Sequence, residues 1–221
     1  MYVNTNYNSL VSRSNLQSTN NDLSKSMERL SSGLRINGAA DDAAGLAIST
    51  RMTSQVKGME QAFRNAQDGV SLIQTTEGAM GTITDMLQRM RELSVQADNG
   101  TYSATDKLSM QSEVDSLIAE VDHIAKNTTF NGINVLDGVT AKVDLHISEK
   151  STDTVAVTLF NASELGLGLN TVKTGGTETL AANAQDAIDT IDLAIGNVSK
   201  ARGELGATQN RLGFISDSLQ S

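Results

Sequence analysis

The sequence of 221 residues contains no cysteine, no proline and no tryptophan, and aromatic residues make up only 3% of it. The absence of cysteine excludes disulfide bonds and thiolate metal sites. The absence of proline removes the commonest helix breaker. Because aromatic residues are so scarce, a core must be built from leucine, isoleucine, valine, methionine and alanine. These side chains suit close helix packing better than a ligand cleft.

The sequence also lacks clustered positive charge and long apolar runs. Its net charge is −9 and its lysines and arginines form no basic stripe, so we expect no nucleic-acid partner. No apolar run approaches the roughly 18 residues of a transmembrane helix, so we expect no membrane partner. Residues 1–6 show no charged region followed by an apolar stretch, so secretion would use a route without a cleaved signal peptide.

Motifs for catalysis and for cofactors are missing as well. The two histidines, His123 and His146, have no ligand set near them in the sequence, and no P-loop, GxSxG or HExxH motif is present. Asp41 and Asp42 could suggest a metal or acid site, but carboxylates at a helix start are the simpler interpretation. We therefore expect a protein that is not an enzyme and that uses no cofactor and no metal.

Helical periodicity is the strongest positive feature of the sequence. One apolar stripe recurs at four- and three-residue intervals and consists of Met52, Val56, Met59, Phe63, Ala66, Val70, Ile73, Met80 and Leu87. A second stripe on another face consists of Ala79, Ile83, Met86, Met90, Leu93 and Ala97. Together they predict one helix of more than ten turns that ends near Asp98. A helix with two apolar faces needs neighbours on two sides, which indicates a structural or assembly role.

Shorter periodic segments flank this helix. An N-terminal stripe predicts a helix over residues 9–34 and consists of Leu16, Leu23, Met27, Leu30 and Leu34. A helix capped by Ser103 or Thr105 and ending near Asn127 should pack antiparallel to the long helix. Residues 143–147 and 155–159 alternate apolar and polar side chains, which predicts a β-hairpin. Helical periodicity returns near Leu180 and continues to the end of the sequence.

These segments predict a mainly α fold, a long-helix rod of three helices packed like a coiled coil, with a small β-hairpin element. We assign residues 1–40 to an N-terminal arm helix and turn. Residues 41–130 together with 177–221 form the helical rod, and residues 131–176 form its hairpin and loop region.

One polar ridge on the long helix lies beside Met90 and Leu93 and consists of Gln88, Arg89, Arg91, Glu92 and Gln96. The ridge has two interpretations. It is either a solvated face with ion pairs such as Arg89–Glu92, or a contact with another subunit or with a receptor. Both interpretations stay open on the pattern of the residues.

Several longer motifs resemble those of bacterial flagellins and occur in the order of that family. They are MERLSSGLRIN at 27–37, DDAAGLAI at 41–48, RNAQDG at 64–69, QTTEGA at 74–79, LQRMRELSVQ at 87–96, TFNGINVL at 129–136 and RGELGATQNRL at 202–212. The resemblance covers most of residues 1–136 and 180–221. It implies the structural subunit of the bacterial flagellar filament, a homopolymer that serves motility outside the cell.

The resemblance also implies how such a chain is organised and delivered. In flagellins the two terminal segments pair as helices in the inner tube of the filament, and the next layer combines long helices with a small β element. We therefore expect residues 1–40 to belong to the inner tube and the N-terminal stripe to be an assembly surface. Export would use the flagellar export apparatus. Only residues 137–179 separate the conserved arms, so we expect the large outer domains to be missing.

The end of the sequence departs from the family. Flagellins continue past the position of Ser221 with a terminal helix that pairs with the N-terminal one and carries the site of the export chaperone. The sequence stops before that helix, so we expect this chain not to bind the chaperone. We also expect a loosely held N-terminal segment, because its serine- and asparagine-rich heptads form a weak helix alone.

Finally, the resemblance implies an innate-immune site on the rod helices. The flagellin-sensing Toll-like receptor recognises positions that here match Arg89, Leu93 and Glu113, and Gln88, Glu92 and Gln96 surround them. These six residues are named the contact face. The polymerisation contacts of the family overlap the same surface, which implies a face that is buried in the filament and exposed in the monomer.

Three other functions are considered. A hook–filament junction protein of the same superfamily also has helical terminal arms, but the motifs over residues 27–48 favour a flagellin. A binding module would use the hairpin, and deletion of residues 142–160 would then abolish ligand binding. An inserted enzyme domain, as some flagellins carry, would need a longer segment than residues 137–179 and a cluster of histidine and acidic residues.

Overall fold

The computed structural model describes residues 6–148, 150, 152–173 and 179–220, without the side chains of residues 181 and 182. The described helices are α1 (Tyr7–Ser32), α2 (Ala43–Asp98), α3 (Ala104–Asn127) and α4 (Leu180–Gln220). The described strands form two antiparallel pairs, β1 (Thr129–Phe130) with β2 (Ile133–Asn134) and β3 (Lys142–His146) with β4 (Thr154–Thr158), and a 3-10 turn spans Leu169–Thr171. The mainly α fold with a small hairpin is confirmed.

The chain divides into two compact units, and the division falls between Lys57 and Gly58, inside α2. The domain boundary predicted at residues 40–41 lies in the turn before α2. The boundary predicted at residues 176–177 lies outside the described residues. The domain assignment therefore stays a prediction, and the two units are described one after the other.

The first unit contains α1, a turn and the start of α2. The helix α1 begins where the Asn6 side chain accepts a hydrogen bond from the Ser9 N–H, and it ends at Gly33, whose φ of 68° is left-handed. None of its residues is buried. Leu16, Leu23, Met27 and Leu30 of the N-terminal stripe lie on this helix as predicted, whereas Leu34 follows its end at Gly33. The side chains of the stripe are between 59% exposed, for Leu23, and 80% exposed, for Leu30. The stripe is therefore an apolar face open to water.

The turn between α1 and α2 is held by two adjacent carboxylates with different tasks. Asp42 accepts a hydrogen bond from the Gly45 N–H at 2.8 Å, which is the predicted role of a carboxylate at a helix start. Asp41 instead pairs with Lys25 of α1 at 2.6 Å and accepts from the Asn37 N–H at 3.3 Å. The prediction of a helix-start role is therefore right for Asp42 and wrong for Asp41, which fastens the turn to α1.

The core of the second unit lies between α2, α3 and α4. Both predicted stripes of α2 are buried there, with Ala66, Ile73, Met80 and Leu87 on the first and Ile83, Met90, Leu93 and Ala97 on the second. The other two helices contribute Val114, Ile118, Val121, Ala125, Ala187, Ile191, Ala194, Val198, Leu205 and Leu212. The start of the first stripe, Met52, Val56 and Met59, is exposed instead, because the buried part of α2 begins only at Ala62.

The helix α3 begins with a reciprocal cap. The Ser103 hydroxyl accepts from the Asp106 N–H, while the Asp106 carboxylate accepts from the Ser103 N–H at 3.0 Å. Leu108 also carries an apolar side chain near the start of α3, but it is exposed. The buried part of α3 begins at Met110.

The predicted hairpin is β3–β4, with Leu145 paired to Val155 and Val143 paired to Val157. Val155 and Val157 are buried in the core, and the Asn65 amide of α2 donates a hydrogen bond to the His146 carbonyl at 2.9 Å. Leu159, predicted as the end of the second strand, follows β4 and is buried. The predicted loop after it also enters the core, through Ala162, Leu167, Leu169 and Val172.

The smaller hairpin β1–β2 was not predicted. Its two central residues, Asn131 and Gly132, have φ values of 49° and 79°. Positive φ at both central residues is the geometry of a two-residue hairpin turn, which asparagine followed by glycine favours. The signal was therefore present in the sequence, but strands of two residues are too short to show an alternating pattern.

Candidate functional site

Arg89 is the centre of the contact face. Its guanidinium bridges two helices, because Nε donates to Oε1 of Glu113 in α3 at 3.0 Å and Nη2 lies 2.9 Å from the same oxygen. Its Nη1 donates to Glu92, one turn further along α2, at 3.1 Å. The hydrogen bonds with Glu113 and then with Glu92 raise the pKa of Arg89 above its ordinary value. The predicted Arg89–Glu92 pair is confirmed, and Glu113 adds the link to α3.

Next to this ion pair, α2 and α3 enclose a surface depression of about 500 Å³. It is lined by Arg89, Leu93, Gln96, Tyr102, Asp106, Ser109, Met110 and Glu113. Leu93 is only 3% exposed and packs in the core beside Met110, so it supports the depression from below. At the far end, the Gln96 amide donates to the Tyr102 hydroxyl at 3.0 Å.

The structure thus brings four residues of the contact face, Arg89, Leu93, Gln96 and Glu113, to one depression. The other two, Gln88 and Glu92, lie exposed on the same helix. Charged and polar groups around a shallow depression can hold a polar or charged side chain of a second protein. The charged residues that line the depression are Arg89, Glu113 and Asp106. Arg89 and Glu113 are paired with each other, and Asp106 is exposed.

Arg91 does not belong to this face. Its guanidinium forms two hydrogen bonds with Asp192 of α4, at 2.6 and 3.3 Å, and this pair raises the pKa of Arg91. The sequence-based ridge that joined Arg91 to Arg89 is therefore wrong. Two positions correspond to about 200° around a helix, so Arg89 faces α3 while Arg91 faces α4.

Four residues that line the depression, Tyr102, Asp106, Ser109 and Met110, were not predicted as part of the site. A serine followed three positions later by an acidic residue is the signal that could have indicated Asp106. Outside the depression, Gln111 is a buried polar residue on the core side of α3. Its amide donates to the Val172 carbonyl at 2.9 Å and its carbonyl accepts from the Leu180 N–H at 2.8 Å. Gln111 thereby connects α3 with Val172 and with Leu180, the first residue of α4.

The described residues contain no group of three or more histidine, cysteine, aspartate or glutamate residues arranged to hold a metal ion. His123 is exposed and its Nδ1 lies 3.7 Å from Glu120 on the same helix. None of the helices in the described part of the chain is long and apolar enough to cross a membrane.

Comparisons with known proteins identify the family of this mainly helical protein. Residues 3–141 match the family described as the bacterial flagellin N-terminal helical region. The chain is 42% identical over 229 residues to the flagellar filament 33 kDa core protein of Treponema phagedenis, and the match covers 97% of this chain and 79% of that protein. The chain therefore belongs to the flagellin family, which consists of structural proteins of the flagellar filament.

Solved structures show the same fold. The crystal structure of Bacillus cereus flagellin is 34% identical with a TM-score of 0.62, and the match covers 71% of this chain and 88% of that one. A chain described as a flagellar hook-associated protein from Vibrio parahaemolyticus has a TM-score of 0.69 at 16% identity, covering 83% of this chain and 94% of that one. At that identity the second likeness shows the fold alone.

Proposed function

We propose that this chain is exported by the flagellar export apparatus without a cleaved signal peptide and polymerises into the extracellular flagellar filament, where it serves motility. The observation that carries the proposal is the exposed N-terminal stripe. Four large apolar side chains of the stripe follow one face of α1, and Leu34 follows just after the helix, although α1 buries none of its residues. A monomer gains nothing from such a face in water, whereas helix packing against other subunits would remove its apolar surface from solvent.

Seeded polymerisation tests this function. Purified chain is added to sheared flagellar filaments, and elongation is measured by sedimentation and electron microscopy. Leu23→Asp places a charge in the N-terminal stripe, and Asn21→Asp places the same charge two positions away, about 200° around α1. We expect the unmodified chain and Asn21→Asp to elongate the seeds and Leu23→Asp to stay soluble. Equal elongation by both variants, or none by the unmodified chain, would contradict the proposal.

We further propose that the contact face of the unassembled chain is recognised by the flagellin-sensing Toll-like receptor of a host, and that assembly buries the same face. Three features support the proposal. Arg89 and Glu113 present an exposed ion pair, a shallow depression lies beside them over the nearly buried Leu93 and Met110, and Gln88, Glu92 and Gln96 add exposed polar groups. Interfaces of this kind obtain much of their affinity from a few central residues, among which arginine is enriched.

The chain contains a matched control for receptor binding. Arg89 and Arg91 are 49% and 48% exposed and each pairs with a carboxylate on another helix, but they face different neighbours. We expect Arg89→Ala to weaken binding of the receptor ectodomain by about tenfold or more, which corresponds to about 1.4 kcal/mol. Arg91→Ala should leave the affinity unchanged. Surface plasmon resonance measures both, and an equal loss in the two variants would contradict the assignment of the face.

A hook–filament junction protein is the second candidate, favoured by the shared fold with the hook-associated chain from Vibrio parahaemolyticus. The identity to that chain is 16%, against 34% to the Bacillus cereus flagellin. The two functions differ in how many copies of the chain add to an existing structure. A filament subunit adds repeatedly to filament seeds, whereas a junction protein binds hook ends in limited number. Electron microscopy of hooks and filament seeds incubated with the chain distinguishes these outcomes.

A further inference from the structure

We propose that Asn99 is a site of spontaneous covalent modification, in which its side-chain amide cyclises onto the backbone nitrogen of Gly100 and is hydrolysed to aspartate or isoaspartate. The sequence contains three places where asparagine precedes glycine, at Asn37, Asn99 and Asn131. Glycine leaves the backbone nitrogen sterically open, so all three are chemically capable of the reaction. Their structural surroundings differ, and only those of Asn99 favour it.

Asn99 lies in the exposed turn that follows the last residue of α2. Its side-chain carbonyl accepts a hydrogen bond from the Thr101 N–H at 3.2 Å. That bond draws electron density from the amide carbon and folds the side chain back over the intervening Gly100. The N–H groups of Asn99, Thr101 and Tyr102 donate hydrogen bonds, but among the described residues none accepts from the Gly100 N–H. The attacking nitrogen is therefore accessible to solvent and to its own neighbour.

The reaction needs only water as a co-reactant. The Gly100 nitrogen loses its proton and attacks Cγ of Asn99, so that a new N–C bond closes a five-membered imide. The Cγ–Nδ2 bond breaks, and ammonia leaves with the hydrogen that the Gly100 nitrogen gave up. Water then opens the imide at either of its two carbonyls. One opening yields aspartate, and the other yields isoaspartate, in which the main chain runs through the former side-chain carbon.

The other two asparagines are held in ways that oppose ring closure. Asn131 is the first central residue of the β1–β2 turn, with a φ of 49°, and the Phe130–Ile133 pair fixes the backbone on both sides. Cyclisation would require a backbone rotation that breaks this pairing. Asn37 is partly buried, its side-chain nitrogen is enclosed, and its own N–H donates to Asp41. Enclosure limits the access of hydroxide and the departure of ammonia.

Modification would alter the end of α2 next to the contact face. The last turn of α2 contains Asp98 and no basic residue, so a new carboxylate at position 99 adds negative charge at the negative end of the helix dipole. Isoaspartate also lengthens the main chain between Gln96 and Tyr102, whose side chains are hydrogen-bonded across this turn. The modification depends on the turn geometry alone and does not require the proposed function.

Peptide mapping by mass spectrometry tests the site. The folded chain is incubated in mildly alkaline, amine-free buffer, and the peptides that contain Asn37, Asn99 and Asn131 are followed for the mass change from amide to acid. A parallel sample is incubated in denaturant. We expect Asn99 to convert several-fold faster than the other two in the folded chain, and all three to convert at similar rates in denaturant.

A variant isolates the role of the Gly100 nitrogen. A Cβ at Gly100 would meet no atom within 4 Å, and the φ of this residue is not positive, so Gly100→Ala fits the turn. The added methyl group hinders the attacking nitrogen, and we expect it to reduce conversion of Asn99 several-fold without changing the rates at Asn37 and Asn131. Conversion of Asn131 or Asn37 as fast as that of Asn99 in the folded chain would overturn the proposal. So would an unchanged rate in Gly100→Ala.

Discussion

Gly69 of α2 lies directly under Leu145 of β3, and the missing side chain at Gly69 is what lets the hairpin approach the helix. A Cβ built at Gly69 would overlap Cδ1 of Leu145 and would lie 3.2 Å from Cδ1 of Leu212 in α4. Three elements of the second unit therefore meet at one glycine. Because Leu212 is fully buried, only Leu145 could move to accommodate a larger residue.

We predict that Gly69→Ala destabilises the second unit by about 1 kcal/mol, because overpacking at this contact outweighs the better helix propensity of alanine. Gly78→Ala is the matched control on the same helix, since a Cβ there would meet no atom within 4 Å. The control should gain about 0.5–1 kcal/mol. Urea unfolding followed by circular dichroism measures both, and stabilisation of similar size in the two variants would contradict the contact.

The sequence predicts the parts of the second unit that repeat with a fixed period. The two stripes of α2 are buried where α3 and α4 run alongside. Apolar residues at three- and four-residue intervals lie on one face of a helix, and that face is buried by packing against a neighbouring helix. Residues 160–172 could not be predicted in this way. They enter the core through irregular backbone hydrogen bonds, such as the Ala162 N–H to the Leu136 carbonyl at 2.8 Å, which have no sequence period.

The candidate site was predictable to a similar extent. Residues 89, 92, 93 and 96 share a helix face by spacing, whereas the contribution of Glu113 follows only from the antiparallel register of α3 against α2 and was assigned through family resemblance. The separation of Arg91 from Arg89 could have been predicted, since positions two apart on a helix cannot share a face. The role of Gln111 could not, because its partners are 61 and 69 positions away along the chain.

We predict that Gln111→Leu destabilises the second unit by about 1–3 kcal/mol. Leucine fills a similar volume, but it leaves the Val172 carbonyl and the Leu180 N–H without their hydrogen-bond partner, and Leu180 is buried. Hydrogen exchange at the Leu180 N–H should become faster as well. Ser112→Ala changes the next, exposed position of α3 and should alter stability by less than about 0.5 kcal/mol. If Gln111→Leu is as stable as the unmodified chain, the two hydrogen bonds of Gln111 contribute nothing to the free energy of unfolding.

The turn of the first unit should depend on pH through Asp41. The hydrogen bond from Lys25, followed by that from the Asn37 N–H, lowers the pKa of Asp41 below its ordinary value of 3.8. Since the folded pKa lies below the unfolded one, the stabilisation is complete at pH values above the unfolded pKa and is lost as the pH falls through the folded one. We therefore expect the turn to loosen only in acid.

A titration of the Asp41 carboxyl by NMR measures this effect directly. Lys25→Ala removes the nearest cation, at 2.6 Å, and should raise the pKa of Asp41 toward its ordinary value. Arg13→Ala removes a cation from the same helix three turns earlier and should leave the pKa unchanged. An Asp41 pKa that does not respond to Lys25→Ala would mean that the ion pair does not persist in solution.

The start of α3 offers a choice that the sequence left open, since Ser103 and Thr105 could each act as the cap. The structure assigns the cap to Ser103, whose hydroxyl accepts from the Asp106 N–H and donates to the Asp106 carboxylate at 2.7 Å. We predict that Ser103→Ala destabilises the second unit by about 0.5–2 kcal/mol, whereas Thr105→Ala has a much smaller effect. Thermal unfolding followed by circular dichroism compares the two.

Because Asp106 also lines the depression of the contact face, the serine variant should weaken receptor binding more than the threonine variant does. A larger loss of stability in Thr105→Ala than in Ser103→Ala would mean that Thr105 is the cap. The cap would then not connect Ser103 with the depression through Asp106.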